Sequence, residues 1–95
     1  MFPYEKLEVY KIAFNTNRAI YRYLKNNKSI PGYAKNQLGR AALSIMLNIA
    51  EGSAKFSSKE RKTFYTTACR SVFECASLVS FLAIENDIAI LFTLN

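Results

Sequence analysis

Ninety-five residues hold one domain and not two, so a single domain over 1–95 is expected. Half of the chain is apolar, but only three glycines and two prolines punctuate it, which excludes a turn-rich β-fold and favours a few long helices. The net charge is +6 with no histidine: the commonest general base and metal ligand are missing, and the basic balance favours a polyanionic partner as readily as it serves plain solubility.

The first helix is predicted over about residues 4–25. Leu7, Tyr10, Phe14, Tyr21 and Leu24 recur at helical spacing as one apolar seam, with Asn17 in its missing place. Ile12, Ala13 and Ile20 widen the stripe. Glu5 and Glu8 open the helix and Arg22 and Lys25 close it, an order that complements the helix dipole. Asn26 to Gly32 reads as a loop, ending in Pro31-Gly32.

The second helix is predicted over 33–51. Leu38, Ala41, Ala42, Ile45 and Ile49 form its apolar face, and the small Ala41-Ala42 pair lets a neighbour approach closely. Gly52 follows and fits a C′ glycine in the left-handed region. The third helix is predicted over 57–84, opened by Ser57 and Glu60 at capping-box spacing. Phe64, Ala68, Ser71, Cys75, Leu78 and Leu82 carry its seam, broadened by Tyr65, Val72 and Val79. Glu85-Asn86-Asp87 is expected to break it, and Ile88 to Asn95 to begin a fourth helix of about two turns. The expected fold is therefore all-α: an up-down antiparallel bundle of four-helix type with a truncated fourth helix. Such a thin bundle leaves apolar surface that further copies of the chain would cover.

Catalysis finds little support. Ser44, Ser71, Cys69 and Cys75 have no histidine to activate them, and no aspartate precedes Asp87. Glu51, Glu60 and Glu74 each have a capping or charge-pairing role available. The expectation is a protein that is not an enzyme and uses no cofactor and no metal. The two cysteines read as structural thiols of a reducing cytosol. The N-terminus does not read as a signal peptide, and the longest apolar run, near Ile88 to Phe92, is too short to span a bilayer. A cytoplasmic location without membrane attachment is expected.

The basic residues are more informative. Lys11, Arg18, Arg22 and Lys25 share one face of the first helix, and Lys55, Lys59 and Lys62 recur at the start of the third. No acidic residue lies between Lys11 and Lys35. Stripes of this kind track phosphates, although a solvated outer face accounts for them too. Tyr4, Tyr23, Tyr33 and Phe56 lie near enough to stack on bases, or to close the ends of a core. The second helix also carries a polar line, Gln37, Arg40, Ser44, Asn48 and Glu51, beside its apolar face. Polar residues in that position fix pairing and register, and an antiparallel hairpin brings Arg40 towards Glu74.

At this hairpin the sequence resembles a known family. Ser44-Ile45, Asn48-Ile49-Ala50-Glu51-Gly52, then Ser57, Glu60, Phe64, Ala68, Ser71 and Glu74 are similar to the bacterial four-helix bundle proteins, also called 23S ribosomal RNA intervening-sequence proteins. Leu7, Val9-Tyr10, Ala13, Tyr21, Gln37-Leu38 and Arg40-Ala41-Ala42 also match, so the resemblance spans about residues 4–85. Three features depart from it: Gly39 and Lys55 stand where arginine is usual, Ala54 replaces a loop glycine, and a complete fourth helix is missing. The resemblance implies a homo-oligomer, often a pentamer, associated with RNA. A related branch comprises accessory proteins of diversity-generating retroelements, which bind a reverse transcriptase and nucleic acid. The implied partners are therefore other copies of the chain, RNA, and a reverse transcriptase. The alternative function is a structural or protein-interaction module, such as a reverse-transcriptase scaffold, that binds no RNA itself.

Overall fold

The computed structural model describes the backbone of residues 7–94 and the side chains of residues 7–85. It contains three helices: α1 (Glu8–Asn26), α2 (Gly32–Ser53) and α3 (Ser58–Leu94). No strand occurs among the described residues. α2 is the central element and packs on both α1 and α3, whereas α1 and α3 do not pack on each other among those residues. The expected start of α1 at Tyr4 and Glu5 lies outside the described residues, but Leu7, expected within the helix, is instead its extended N-cap, and α1 begins at Glu8.

The core forms where apolar residues of α2 meet residues of its neighbours, most of them small. Ala34, Leu38, Ala41, Ala42, Ile45 and Ile49 are buried on α2; Ala13 is buried on α1, and Ala68, Cys75 and Leu82 on α3. Leu38 is the largest side chain fully shielded from water. Ile30 completes the core from the α1–α2 loop, a segment that reads as polar in sequence. That loop is tied down by Asn27 Nδ2, which donates to Tyr23 O at 2.7 Å, and by Pro31 O, which accepts from the amides of Ala34 and Lys35, both at 3.0 Å.

The α1 seam is rotated from its expected centre. The residues packed towards α2 are Tyr10, Ala13, Ile20 and Leu24, with Asn17 among them, while Phe14 and Tyr21 stay exposed on the flank. Asn17 accounts for the rotation: its Nδ2 donates to Ala42 O at 2.6 Å and to Ala13 O at 3.0 Å. A side chain as short as asparagine reaches a main-chain carbonyl on the facing helix only if the backbones are close. Ala13 and Ala42 allow that approach, and the bulky Phe14 and Tyr21 do not.

Two expectations about helix ends are corrected. Gly52 is not a left-handed C′ residue: no described residue has positive φ, and Gly52 lies buried inside the last turn of α2. It is small for want of space, since a Cβ there would lie 2.7 Å from Tyr65 Cε1 and 3.1 Å from Phe64 Cβ. The helix end is instead closed by short-range bonds, Ala54 N to Glu51 O at 3.1 Å and Lys55 N to Gly52 O at 3.2 Å. The Ser57 cap is present, with Glu60 N donating to Ser57 Oγ at 3.3 Å.

The second correction concerns the C-terminal end. α3 runs unbroken through Glu85, Asn86 and Asp87 to Leu94, so no separate fourth helix begins at Ile88. Glutamate, asparagine and aspartate lower helix propensity by at most about 0.7 kcal/mol each, and no glycine or proline follows to stop the helix. The apolar side chains of the Ile88–Leu94 tail lie outside the described residues.

Candidate nucleic-acid interface

The structure does not join the two basic clusters into one surface. α2 is 22 residues long, about 33 Å at ~1.5 Å per residue. α1 crosses the middle of α2 at Asn17 and Ala42, so Arg18, Arg22 and Lys25 continue towards the start of α2. Lys55, Lys59 and Lys62 sit at its other end, around the α2–α3 loop. Within the first cluster Lys11 is partly neutralised, its Nζ lying 3.3 Å from Glu8 Oε1. Arg18, Arg22 and Lys25 are exposed and have no ion-pair partner among the described residues.

In the second cluster Lys59 and Lys62 are exposed, but Lys55 is half-buried with its Nζ 5.2 Å from the centre of the Phe64 ring. The main loop clamp is Arg61, which the sequence reading missed. Its Nη1 donates to the carbonyls of Lys55 and Phe56, each at 2.9 Å, and its Nη2 donates to Ser58 Oγ at 3.1 Å. Of the aromatics expected to stack on bases, Phe56 is 99% exposed and Tyr33 is exposed, while Tyr23 packs on the core. Tyr4 lies outside the described residues.

The first cluster borders a groove of about 620 Å³ between α1 and α2. Phe14, Tyr21 and Leu24 line it from α1, and Gly39, Leu43 and Met46 from α2. Arg18, Arg22 and Lys25 stand along the α1 side. The groove was not legible in sequence because it depends on Phe14 and Tyr21 leaving the seam.

The polar line of α2 is structural, with altered partners. The side facing α3 runs through Gln37, Ala41, Ser44 and Asn48. Asn48 Nδ2 donates to Ser44 Oγ at 3.0 Å and to Ser44 O at 2.8 Å. Ser71 Oγ on α3 lies 2.7 Å from Ser44 Oγ and 3.1 Å from Thr67 O, so buried Ser71 is satisfied and joins the two helices. Glu74 accepts from Gln37 Nε2, not from Arg40. Arg40 is exposed because it projects from the flank of α2, as does Glu51. The expected Arg40–Glu74 pair is therefore absent, and among the described residues Glu51 contributes to the hairpin through its main-chain carbonyl.

Among the described residues, no three of His, Cys, Asp and Glu are grouped to hold a metal ion. Burial, followed by the nearby charge of Glu74, raises the Cys75 thiol above its ordinary value, which leaves it protonated and a poor nucleophile. Cys69 is exposed. The Ser58–Glu85 part of α3 is long and apolar enough to cross a membrane by length and composition, a property hidden from a reading of consecutive apolar runs. Its outer surface exposes Val72, Phe73, Val79, Phe81 and Ile84, with Phe73 76% exposed.

The family description "23S rRNA-intervening sequence protein" matches residues 5–89, which include all of α1, all of α2 and most of α3. The chain belongs to this family. No curated protein and no solved structure gives a significant match. The matched range contains the whole α2–α3 hairpin, whose cross-helix side-chain bonds are Ser71 with Ser44 and Gln37 with Glu74.

Proposed function

We propose that this family member is a non-enzymatic, self-associating helical protein that binds RNA through the basic side of α1. The observation that carries the reading is the row Arg18, Arg22 and Lys25, exposed and without carboxylate partners among the described residues. Unpaired cations at successive turns suit a phosphate chain, because each contact releases a condensed counterion. Self-association is supported by the exposed Val72, Phe73, Val79, Phe81 and Ile84 of α3, since this many large apolar side chains left in water on one helix favour burial against a partner. The other copies, of which a pentamer is one arrangement, would multiply a modest affinity per subunit into avidity.

The test is fluorescence anisotropy with labelled ribosomal RNA fragments over a salt series. Three contacts at about −0.7 to −0.9 each give a log–log slope of about −2 to −3 per subunit. Replacing Arg18, Arg22 and Lys25 by glutamine should flatten that slope without disturbing the fold. Sedimentation at tens of micromolar should show a species larger than the monomer. The second reading, a protein-interaction module such as a reverse-transcriptase scaffold, is favoured by the same apolar surface of α3. It predicts self- or partner association with no salt-dependent RNA binding.

A further inference from the structure

We infer that the α1/α2 groove takes single-stranded RNA, with bases stacked on Tyr21 and Phe14 and phosphates held by Arg18, Arg22 and Lys25. This rests on the RNA reading above and specifies the strand state that is recognised. Tyr21 is 65% exposed and Phe14 is also exposed, yet both rings border an apolar floor provided by Leu43 and Met46. Phe14 is braced by Tyr10, whose ring centre lies 6.2 Å away at a tilted angle. Three cations stand beside these rings, and no carboxylate is among the described residues that line the groove.

A duplex has little use for such a site. Its bases are stacked inside, and it offers phosphates and riboses that a plain basic surface would hold equally well. Unpaired bases have free faces, and aromatic rings beside a cationic track bind them with little regard to sequence. The groove combines both parts within about three turns of one helix.

Gly39 supplies a second, independent observation. It lies inside α2, where glycine weakens a helix, and neither backbone nor packing asks for it. Its φ is not positive, and a Cβ built there meets no atom within 4 Å. The space it leaves opens into the groove. A larger residue would raise the floor where a base plane would lie, so the glycine has a reason in an occupant that it lacks in the fold.

The test uses the full chain with two probes: fluorescein-labelled oligoadenylate, and a labelled RNA hairpin whose stem offers the same number of phosphates. Oligoadenylate should bind more tightly than the hairpin stem. Tyr21→Leu keeps apolar bulk but removes the ring, and should weaken oligoadenylate binding about tenfold, the loss of one stacked base. Gly39→Leu should weaken it similarly with helicity unchanged by circular dichroism, and neither variant should alter stem binding. Phe14→Leu gives the same readout at the second ring. Equal affinity for both probes, untouched by these variants, would overturn the inference while leaving the RNA reading in place. Failure of both probes to bind in a salt-dependent way would remove the two together. Loss of self-association in Gly39→Leu at unchanged RNA affinity would assign the groove to a second copy of the chain and overturn the inference.

Discussion

Towards α3, α2 presents Ser44 and Asn48 in a side-chain network with Ser71, and packs Gly52 under Tyr65. Towards α1 it presents a main-chain carbonyl, that of Ala42, to one asparagine. The first junction is specified by matched side chains along its length and leaves its described buried polar atoms satisfied. The second is held by a bond that does not depend on which residue occupies position 42, provided that it is small. A junction of that kind leaves the neighbouring positions free for other uses, and here they form a groove. One helix thus commits one side to the fold and keeps part of another open.

The largest expected effect abolishes the difference. Leu38 is fully buried and, by helical spacing, lies between the two sides of α2. Leu38→Ala should lower stability by about 2–5 kcal/mol, with both junctions lost in one denaturant transition. A smaller effect separates them by sign. Gly52→Ala places a Cβ against Tyr65 and Phe64 and should destabilise by about 1–3 kcal/mol. Gly39→Ala meets nothing and should stabilise by up to about 1 kcal/mol. Thermal melts of the two variants shifting in the same direction would contradict this account of both glycines.

Asn17→Ala removes the cross-helix bond to Ala42 and should cost about 0.5–1.5 kcal/mol. Hydrogen exchange should then show α1 amides opening before those of α2 and α3; uniform acceleration would mean that α1 is integral to a single cooperative unit. The smallest effect concerns the thiols. Cys69 should alkylate with iodoacetamide well before Cys75. Because the folded protein holds the Cys75 proton more tightly than the unfolded chain, this group's contribution to stability is present below the alkaline range where an unfolded cysteine ionises. It is lost as pH rises through that range.

Much of the fold was legible because its signals are periodic. The apolar spacing located three helices, and Ser57 with Glu60 marked the start of the last to within a residue. Asn17 was visible as a gap in the α1 seam, but a sequence does not say whether a gap is tolerated or used. Gly52 shows a sharper limit: a glycine at a helix end looks the same whether the backbone or a facing ring requires it. Arg40 and Gln37 differ by less than one turn, so a reading that located the hairpin still chose the wrong partner for Glu74. The Glu85–Asp87 cluster resembled a stop although it held neither of the residues that stop helices. In the candidate site, the cations were visible as a stripe, whereas the groove beside them required knowing which apolar residues the core had left out.

The unbroken course of α3 has a mechanical consequence. Its last buried described residue is Leu82, and its backbone continues as helix to Leu94. The twelve residues between them amount to a rod of about 18 Å. By helix geometry alone, a change of about 5° in the axis at Leu82 displaces the backbone at Leu94 by roughly 1.5 Å over that length. Small adjustments in the packing of Ser71 or Cys75 would thus arrive enlarged at the far end of the helix, on the side of the molecule opposite the hairpin loop.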